Sequence, residues 1–283
     1  MSTTGGSGTG TVTYALVAGG TASGCQLSST AANATLTATS SGTCLIQATK
    51  ASDSTYNLAL SNTVTFTFNL ATQSLTIAAG SSTIAYYGTT TITPSGYSGT
   101  GNITYTVGSG CSLSSGTLTV TASSGTCTIT ATIAADTNYS AATSNTLTIT
   151  RTTAPLTITA TTTSSSKVYG ASDPTFSFTS SGLKNSETIS SVTNTFTGTG
   201  SYNSTTAPTN VGSYTITPSS AVFAGSASAS NYSITYATAS YSITQASSSI
   251  TATGTTSYTY TGSAQGPDTS TETGSTGAVT YSY

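Results

Sequence analysis

The sequence predicts an all-β protein built from tandem antiparallel β-sandwich modules, and three observations support this prediction. Short segments alternate β-branched or aromatic residues with threonine, as in TVTFTFN at residues 63–69 and NITYTV at residues 102–107. Gly, Ser-Ser-Gly, Asn and Pro interrupt these segments at the spacing of turns in a sandwich. A long stretch of the chain also repeats after 83 residues, which is module length for a small β-sandwich.

The repeat is clearest between the first and second modules. Residues 41–67 and 124–150 align without a gap. Four matched pairs are each 83 positions apart: Cys44 and Cys127, Asp53 and Asp136, Tyr56 and Tyr139, and Asn62 and Asn145. Because chemically distinct residues keep one offset, the two stretches are expected to adopt the same fold.

Three similar joints divide the chain. They are TQSLTI at residues 72–77, TAPLTI at residues 153–158 and TQASSSI at residues 244–250. The predicted pieces are residues 1–71, 72–153, 154–245 and 246–283. No joint is long or rich in glycine, so we expect the modules to form a semi-rigid, extended array.

Within each predicted strand, the apolar residues are expected to share one face. In the first module these are Val64, Phe66 and Phe68, and in the second they are Leu147 and Ile149. The threonines between them would then lie on a solvent face that is polar but carries no charge.

Composition excludes several functional classes. The 283 residues include only four Lys or Arg and six Asp or Glu, for a net charge of −2, and no His or Trp. Such a chain offers no basic surface for nucleic acid. It also lacks the usual general base and the commonest metal ligand. We therefore expect neither an enzyme nor a cofactor.

The chain also lacks a predicted membrane segment. No apolar run approaches the ~20 residues of a membrane helix, so we expect no membrane span. The first residues, MSTTGGSGTG, lack the basic and apolar regions of a signal peptide. If the protein is secreted, its signal is expected to lie outside this sequence.

The four cysteines form two similarly placed pairs, Cys25 with Cys44 and Cys111 with Cys127. Neither spacing is that of a zinc knuckle or a redox Cys-x-x-Cys motif. We therefore predict two disulfides, each within one module, with the segment from 110 to 127 forming a strand, a turn and a strand tied at its ends. Each should stabilise its module by roughly 3 kcal/mol.

An aspartate precedes a tyrosine by three residues in both modules, as Asp53 with Tyr56 and Asp136 with Tyr139. Calcium would require more carboxylates than the sequence supplies nearby. A structural corner is favoured, in which Asp caps a turn and the Tyr ring enters the core with its hydroxyl bonded to backbone.

Two other features of the sequence could suggest a crosslink or a ligand site. Lys184 and Glu187 could suggest an intramolecular isopeptide bond, but both lie in one polar loop, which favours a solvated loop. The many tyrosines could bind sugars through their rings, although most alternate like core residues. No nucleophile motif such as G-x-S-x-G is present.

Residues 155–245 resemble the MBG modules, which are immunoglobulin-like repeats of large bacterial surface and secreted proteins. The resemblance depends on three segments: SKVYGASDPTFSFTSSGLKNSETI at 166–189, NVGSYTITP at 210–218 and NYSITY at 231–236. The rest of the chain is similar to related bacterial Ig-like repeats. That similarity is carried by SDSTYNLA at 52–59, by ADTNYSAA at 135–142, and by a first half-module from about Ser247 onward.

The resemblance implies a tandem Ig-like array located outside the cell or on its surface. Its expected role is that of a non-enzymatic stalk, adhesin segment or fibre subunit, with neighbouring modules and a host surface or glycan as possible partners. A glycan-binding array and an accessory segment of a secreted enzyme are the alternatives. The family supplies no catalytic residues to transfer.

The two ends of the chain match the middle of a module. GTGTVTY at residues 8–14 matches GTGNITY at residues 99–105, and GSTGAVTYSY at 274–283 ends near the same position. The first module is thus expected to lack its early strands, and the last piece to supply only early strands. Either the chain is a segment of a longer repeat protein, or copies assemble head to tail by strand addition.

Overall fold

The computed structural model describes residues 1–266, 269–274 and 276–281, and it confirms the predicted all-β fold of tandem sandwich modules. The described helical elements are two single 3₁₀ turns, Thr199–Ser201 and Ala229–Asn231. None of the described helices has the length and apolar character of a membrane span. The chain divides into two compact units, Met1–Thr152 and Thr153–Tyr283. Parts of the predicted last half-module, at 267–268, 275 and 282–283, lie outside the described residues.

The second module is a two-sheet sandwich. Its strands are β7 (Thr76–Ala79), β8 (Thr83–Ala85), β9 (Thr89–Ser95), β10 (Ile103–Val107), β11 (Cys111–Ser114), β12 (Thr117–Val120), β13 (Thr126–Ile133), β14 (Ala142–Thr143) and β15 (Leu147–Thr152). One sheet has the order β10-β13-β15-β8, with β14 also paired to β13, and the other has the order β11-β12-β9-β7. Alternate residues of both sheets fill the core between them, including Ile77, Ile92, Ile129 and Ile149.

The first module has one sheet and, of the other, only a short hairpin. They are β1 (Val12–Val17), β4 (Gly42–Lys50), β5 (Ala59–Leu60) and β6 (Val64–Phe68), with a separate short hairpin of β2 (Gln26–Leu27) and β3 (Leu36–Thr37). No strand precedes β1 among the described residues, so counterparts of β7 and β9 are missing. Its buried cluster is correspondingly small, with Tyr14, Ile46 and Ala48.

This difference corrects one expectation. Val64 and Phe66 were predicted to be core residues, but their side chains are 46% and 36% exposed, and Phe68 is only half-buried. Ile149, which occupies the position of Phe66 in the second module, is 0% exposed. The residues do share one face of β6, but no opposing sheet covers that face among the described residues.

The third module is again a two-sheet sandwich. Its strands are β16 (Ala154–Thr162), β17 (Ser166–Val168), β18 (Phe176–Ser181), β19 (Ile189–Gly198), β20 (Tyr202–Ser204), β21 (Gly212–Phe223), β22 (Tyr232–Ala237) and β23 (Ala239–Thr244). The sheets have the orders β18-β16-β22 and β17-β23-β21-β19-β20. The first strand is split between the sheets, because β16 pairs in parallel with β22 and β17 in parallel with β23.

The last piece contributes one described antiparallel hairpin, β24 (Ser249–Thr253) with β25 (Thr269–Thr273). Ile250 lies directly opposite Glu272 in this hairpin. Every residue of β24 is exposed, so neither face of the hairpin packs against a core in the described structure.

Candidate functional site

Both disulfides lie at module cores. The Cα atoms are 6.0 Å apart in the Cys25–Cys44 pair and 6.2 Å apart in the Cys111–Cys127 pair. Cys44 and Cys127 are buried. All four cysteines of the chain are therefore paired within their own modules.

The second disulfide joins the two sheets of its sandwich, which differs from the predicted tie between the ends of one hairpin. Cys111 belongs to β11, whose hairpin partner β12 places Val120 opposite it. Cys127 lies beyond that hairpin, in β13 of the facing sheet. The bond therefore links the two layers of the sandwich covalently.

Aspartate caps the corner in both repeat modules. Asp136 Oδ1 accepts hydrogen bonds from the backbone N–H groups of Asn138 and Tyr139, both at 2.8 Å, and Oδ2 accepts one from Thr100 at 2.6 Å. Asp53 accepts the same three bonds, from Thr55, Tyr56 and Thr9. Each carboxylate thus holds its corner against the loop that precedes the first strand of its sheet.

These bonds lower the pKa of both carboxyl groups, because an ionised carboxylate is the better acceptor. The pKa of Asp53 falls from 3.8 to about 2, chiefly through the backbone bond from Thr55, and the pKa of Asp136 is lowered chiefly by that from Asn138. A lowered folded-state pKa contributes stability above the unfolded value of 3.8 and loses it as the pH falls toward about 2.

In an acid titration followed by amide hydrogen exchange, we expect the first module to lose stability between about pH 4 and pH 2 and the second module to lose stability as the pH falls below about 4. Asp53→Asn and Asp136→Asn together should remove this contribution to the pH dependence, since an amide does not titrate. An unchanged profile in the double variant would contradict the assignment.

The tyrosines of these corners do not enter the core as predicted. Tyr56 is 49% exposed and Tyr139 is half-buried. The backbone N–H of each tyrosine donates a hydrogen bond to the capping aspartate. Both tyrosines therefore lie in the loop, where no strand directs their rings inward. The expected hydroxyl-to-backbone bond occurs instead in the third module, where buried Tyr214 of β21 donates to the carbonyl of Asn210 at 2.8 Å.

The second corner also holds the joint that leads into its module. Ala71 pairs in parallel with Tyr139, with its N–H donating to Asn138 at 2.8 Å and its carbonyl accepting from Ser140 at 2.9 Å. The side chain of Gln73 then donates to the Ser140 carbonyl at 2.8 Å and accepts from Gly99 N–H at 2.9 Å. Sequence reasoning missed this role of Gln73, although its place in the TQ joint was the available signal.

The side chain of Asn145 likewise holds a nearby segment in place, here strand β7. Its Oδ1 accepts from the backbone N–H of Ile77 at 2.9 Å, and its Nδ2 donates to the Ile77 carbonyl at 3.2 Å. One side-chain amide thereby replaces a strand partner for β7. The preceding Ser144 fixes the loop by accepting from Ala131 N–H at 2.9 Å and donating to the Asn145 carbonyl at 2.7 Å.

The same loop is already formed around Asn62 in the first module. Ser61 accepts from Ala48 N–H at 2.9 Å and donates to the Asn62 carbonyl at 2.8 Å, as Ser144 does in the second module. Within the described residues, however, the side-chain amide of Asn62 makes no hydrogen bond. No counterpart of β7 lies beside it.

Asn62 borders an open groove of about 690 Å³ on the uncovered face of the first module. Its apolar floor includes Tyr14, Ile46, Ala48 and Phe66. Residues 1–6 lie along the groove, and Met1 packs against the small buried cluster. We call this groove, with Asn62 at its rim, the open face.

The loop from Lys184 to Glu187 is tied to the third module, which corrects the expectation of a solvated loop. The hydroxyl of buried Tyr232 donates to the Glu187 carboxylate and accepts from Lys184 N–H at 2.9 Å. Across the described ranges, no three His, Cys, Asp or Glu side chains come together as a metal site would require.

Comparison with known proteins identifies the third module. Residues 156–242 match the family model of the MBG domain (YGX type). The resemblance of this module to the MBG repeats is therefore confirmed. The search of curated proteins found no match.

Among solved structures, the chain is similar to one described as the crystal structure of Drosophila N-cadherin EC1-4, with a TM-score of 0.24 and 10% sequence identity. The similarity covers 84% of this chain and 67% of that chain.

Proposed function

We propose that the chain is a non-enzymatic structural array of the cell surface or extracellular space, acting as a stalk or adhesin segment. The observation that carries this proposal is the cross-sheet disulfide of the second module, accompanied by the Cys25–Cys44 disulfide of the first. Disulfides persist in oxidising compartments and are rare in the cytosol. The MBG match of the third module supports the same repeat-protein role.

The joint between the first two modules supports a load-bearing role. Ala71 attaches the chain to the Asp136 corner through backbone hydrogen bonds, and Gln73 does so through its side-chain amide. A further pair of bonds, from the N–H and hydroxyl of Ser41 to the Thr137 carbonyl, connects the modules directly. These contacts would resist rotation of one module against the other.

Single-molecule stretching of the whole chain tests this role. The disulfides exclude loops with sequence separations of 19 and 16 residues from extension. At about 3.5 Å per residue, the fully stretched oxidised chain should be about 12 nm shorter than the reduced chain. The modules should unfold in separate events, whereas a chain that extends without such events would contradict a load-bearing role.

A glycan-binding array is the second candidate, because several tyrosine rings are exposed. Tyr169 is 55% exposed and Tyr260 is 92% exposed, and such rings can stack on the apolar faces of sugars. A glycan array probed with the purified chain separates the candidates. Saturable binding that is lost in Tyr169→Ala or Tyr260→Ala would favour the glycan reading, and a pure spacer should bind nothing.

A further inference from the structure

We propose that the third module forms an intramolecular isopeptide bond between Nζ of Lys167 and the side-chain carboxyl group of Asp173. The contact that carries this inference joins Nζ to Oδ1, which lie 2.5 Å apart. An ammonium and a carboxylate that form an ordinary ion pair stay about 2.7–2.9 Å apart. The bond would give a covalent link to the module that contains no cysteine, and it does not depend on the proposed stalk role.

Strand β17 places the lysine on the core side of its sheet. Lys167 is paired in parallel with buried Ile243, so the two side chains share a face. Only 10% of the lysine side chain is exposed. An ammonium group at this position has lost most of its hydration, and the carboxylate beside it compensates for that loss.

The loop after β17 brings Asp173 back to this lysine. The N–H of Ala171 donates to the Val168 carbonyl at 3.0 Å and closes a turn in which Gly170 has a φ of 82°. Pro174 restricts the backbone of the aspartate that precedes it. Because a short loop holds the carboxyl group against Nζ, the reaction needs no encounter between distant segments.

A buried hydroxyl lies beside the same carboxyl group. Tyr241 is 1% exposed, and its hydroxyl makes no hydrogen bond of normal geometry with a described residue. Burial, and then the negative charge of Asp173, raise the pKa of this hydroxyl. Phe176 packs edge-on against the Tyr241 ring, with the ring centroids 5.1 Å apart, and holds it in place. The hydroxyl is therefore placed to stabilise charge that develops on the carboxyl oxygen.

The reaction is a condensation that releases one water. A proton first passes from the Lys167 ammonium to the Asp173 carboxylate, which leaves an amine and a carboxylic acid. The Nζ lone pair then attacks Cγ, while Tyr241 donates a hydrogen bond to the oxygen that becomes negatively charged. The bond from Cγ to the acid hydroxyl breaks, that hydroxyl leaves with an amine proton as water, and an amide C–N bond remains. The step is redox-neutral and consumes no further reactant.

The surroundings of the pair favour the amide over the two ions. An amide carries no net charge, so the cost of holding an ammonium group in a mostly buried position is removed. The Asp173 side chain is 43% exposed, which gives the released water a path to solvent. Lys184, where the sequence suggested such a bond, instead contributes its backbone N–H to Tyr232.

Trypsin digestion of the full-length chain, followed by mass spectrometry, tests the bond directly. The chain has only four Lys or Arg residues, and cleavage at Lys167 separates the peptides 152–167 and 168–184. Trypsin does not cleave after a lysine whose Nζ is part of an amide. We expect a single peptide, 152–184, that is lighter than its sequence by one water. Cleavage at Lys184 should stay complete, which provides the internal control.

Two variants assign the loss of water to this pair. Lys167→Arg keeps the positive charge, but a guanidinium stays protonated and does not attack a carboxyl group. Asp173→Ala removes the carboxyl group itself. Both variants should give two separate peptides at full mass. Amide hydrogen exchange of residues 156–242 in Lys167→Arg checks that the module is still folded.

Tyr241→Phe tests the hydrogen-bond donor. The change removes a hydroxyl that has no hydrogen-bond partner among the described residues, so the module should fold. Followed by mass from the start of cell-free synthesis, the loss of water should be about 100-fold slower than in the wild type, as for the loss of one oxyanion donor. An equal rate would overturn the role assigned to Tyr241.

A wild type that still gives peptides 152–167 and 168–184 at full mass after days in solution would overturn the isopeptide bond. A loss of water that persists in Asp173→Ala would also overturn it, because the water would then come from another site. Neither result affects the stalk proposal, which single-molecule stretching tests separately.

Discussion

Removal of the Cys111–Cys127 disulfide, in the double variant Cys111→Ala/Cys127→Ala, should lower the free energy of unfolding of the second module by about 3 kcal/mol. The bond closes a sequence separation of 16 residues and joins two sheets. Its loss gives the unfolded chain more conformations and removes the covalent link between the layers. Since 1 kcal/mol shifts the melting temperature of a domain of this size by about 4–8 °C, the second-module transition should fall by more than about 10 °C.

The third module provides the internal control, because it contains no cysteine. Amide hydrogen exchange, resolved by peptide, should show faster exchange in the second module and unchanged exchange in residues 156–242. Reduction of the wild type with a thiol should add the same effect in the first module. Equal losses in all three modules would contradict a local role for the disulfides.

Asn145→Ala should destabilise the second module by about 2 kcal/mol, whereas Asn62→Ala should leave the stability of the first module unchanged. Asn145 satisfies both backbone groups of Ile77, a buried residue, and an unsatisfied buried donor or acceptor costs about 1–3 kcal/mol. Asn62 has the same preceding serine bonds but no described strand to hold.

Urea unfolding followed by hydrogen exchange at low protein concentration measures this difference. The two variants remove the same side chain from the same loop, so the comparison cancels effects on the loop itself. If Asn62→Ala destabilises its module as much as Asn145→Ala does, then the amide acts within its own loop, and the role assigned to Asn145 in holding β7 is wrong.

Some features of this protein follow from local sequence alone. Period-two alternation and turn residues are properties of neighbouring residues, so they predicted the strands and the all-β class. The 83-residue offset predicted that the Asp53 and Asp136 corners would be alike, and both carboxylates do cap their loops with three backbone bonds. Such short-range patterns need no knowledge of distant contacts.

Burial was decided by tertiary structure, because the same alternation is compatible with a covered or an uncovered face. Phe66 and Ile149 occupy the same repeat position, yet only Ile149 has a second sheet opposite it. The Tyr56 ring stays outside the core because the aspartate cap holds its backbone in a loop. Likewise, only the assignment of β11 and β13 to different sheets made the Cys111–Cys127 bond a link between layers, since sheet membership depends on pairings between strands distant in sequence.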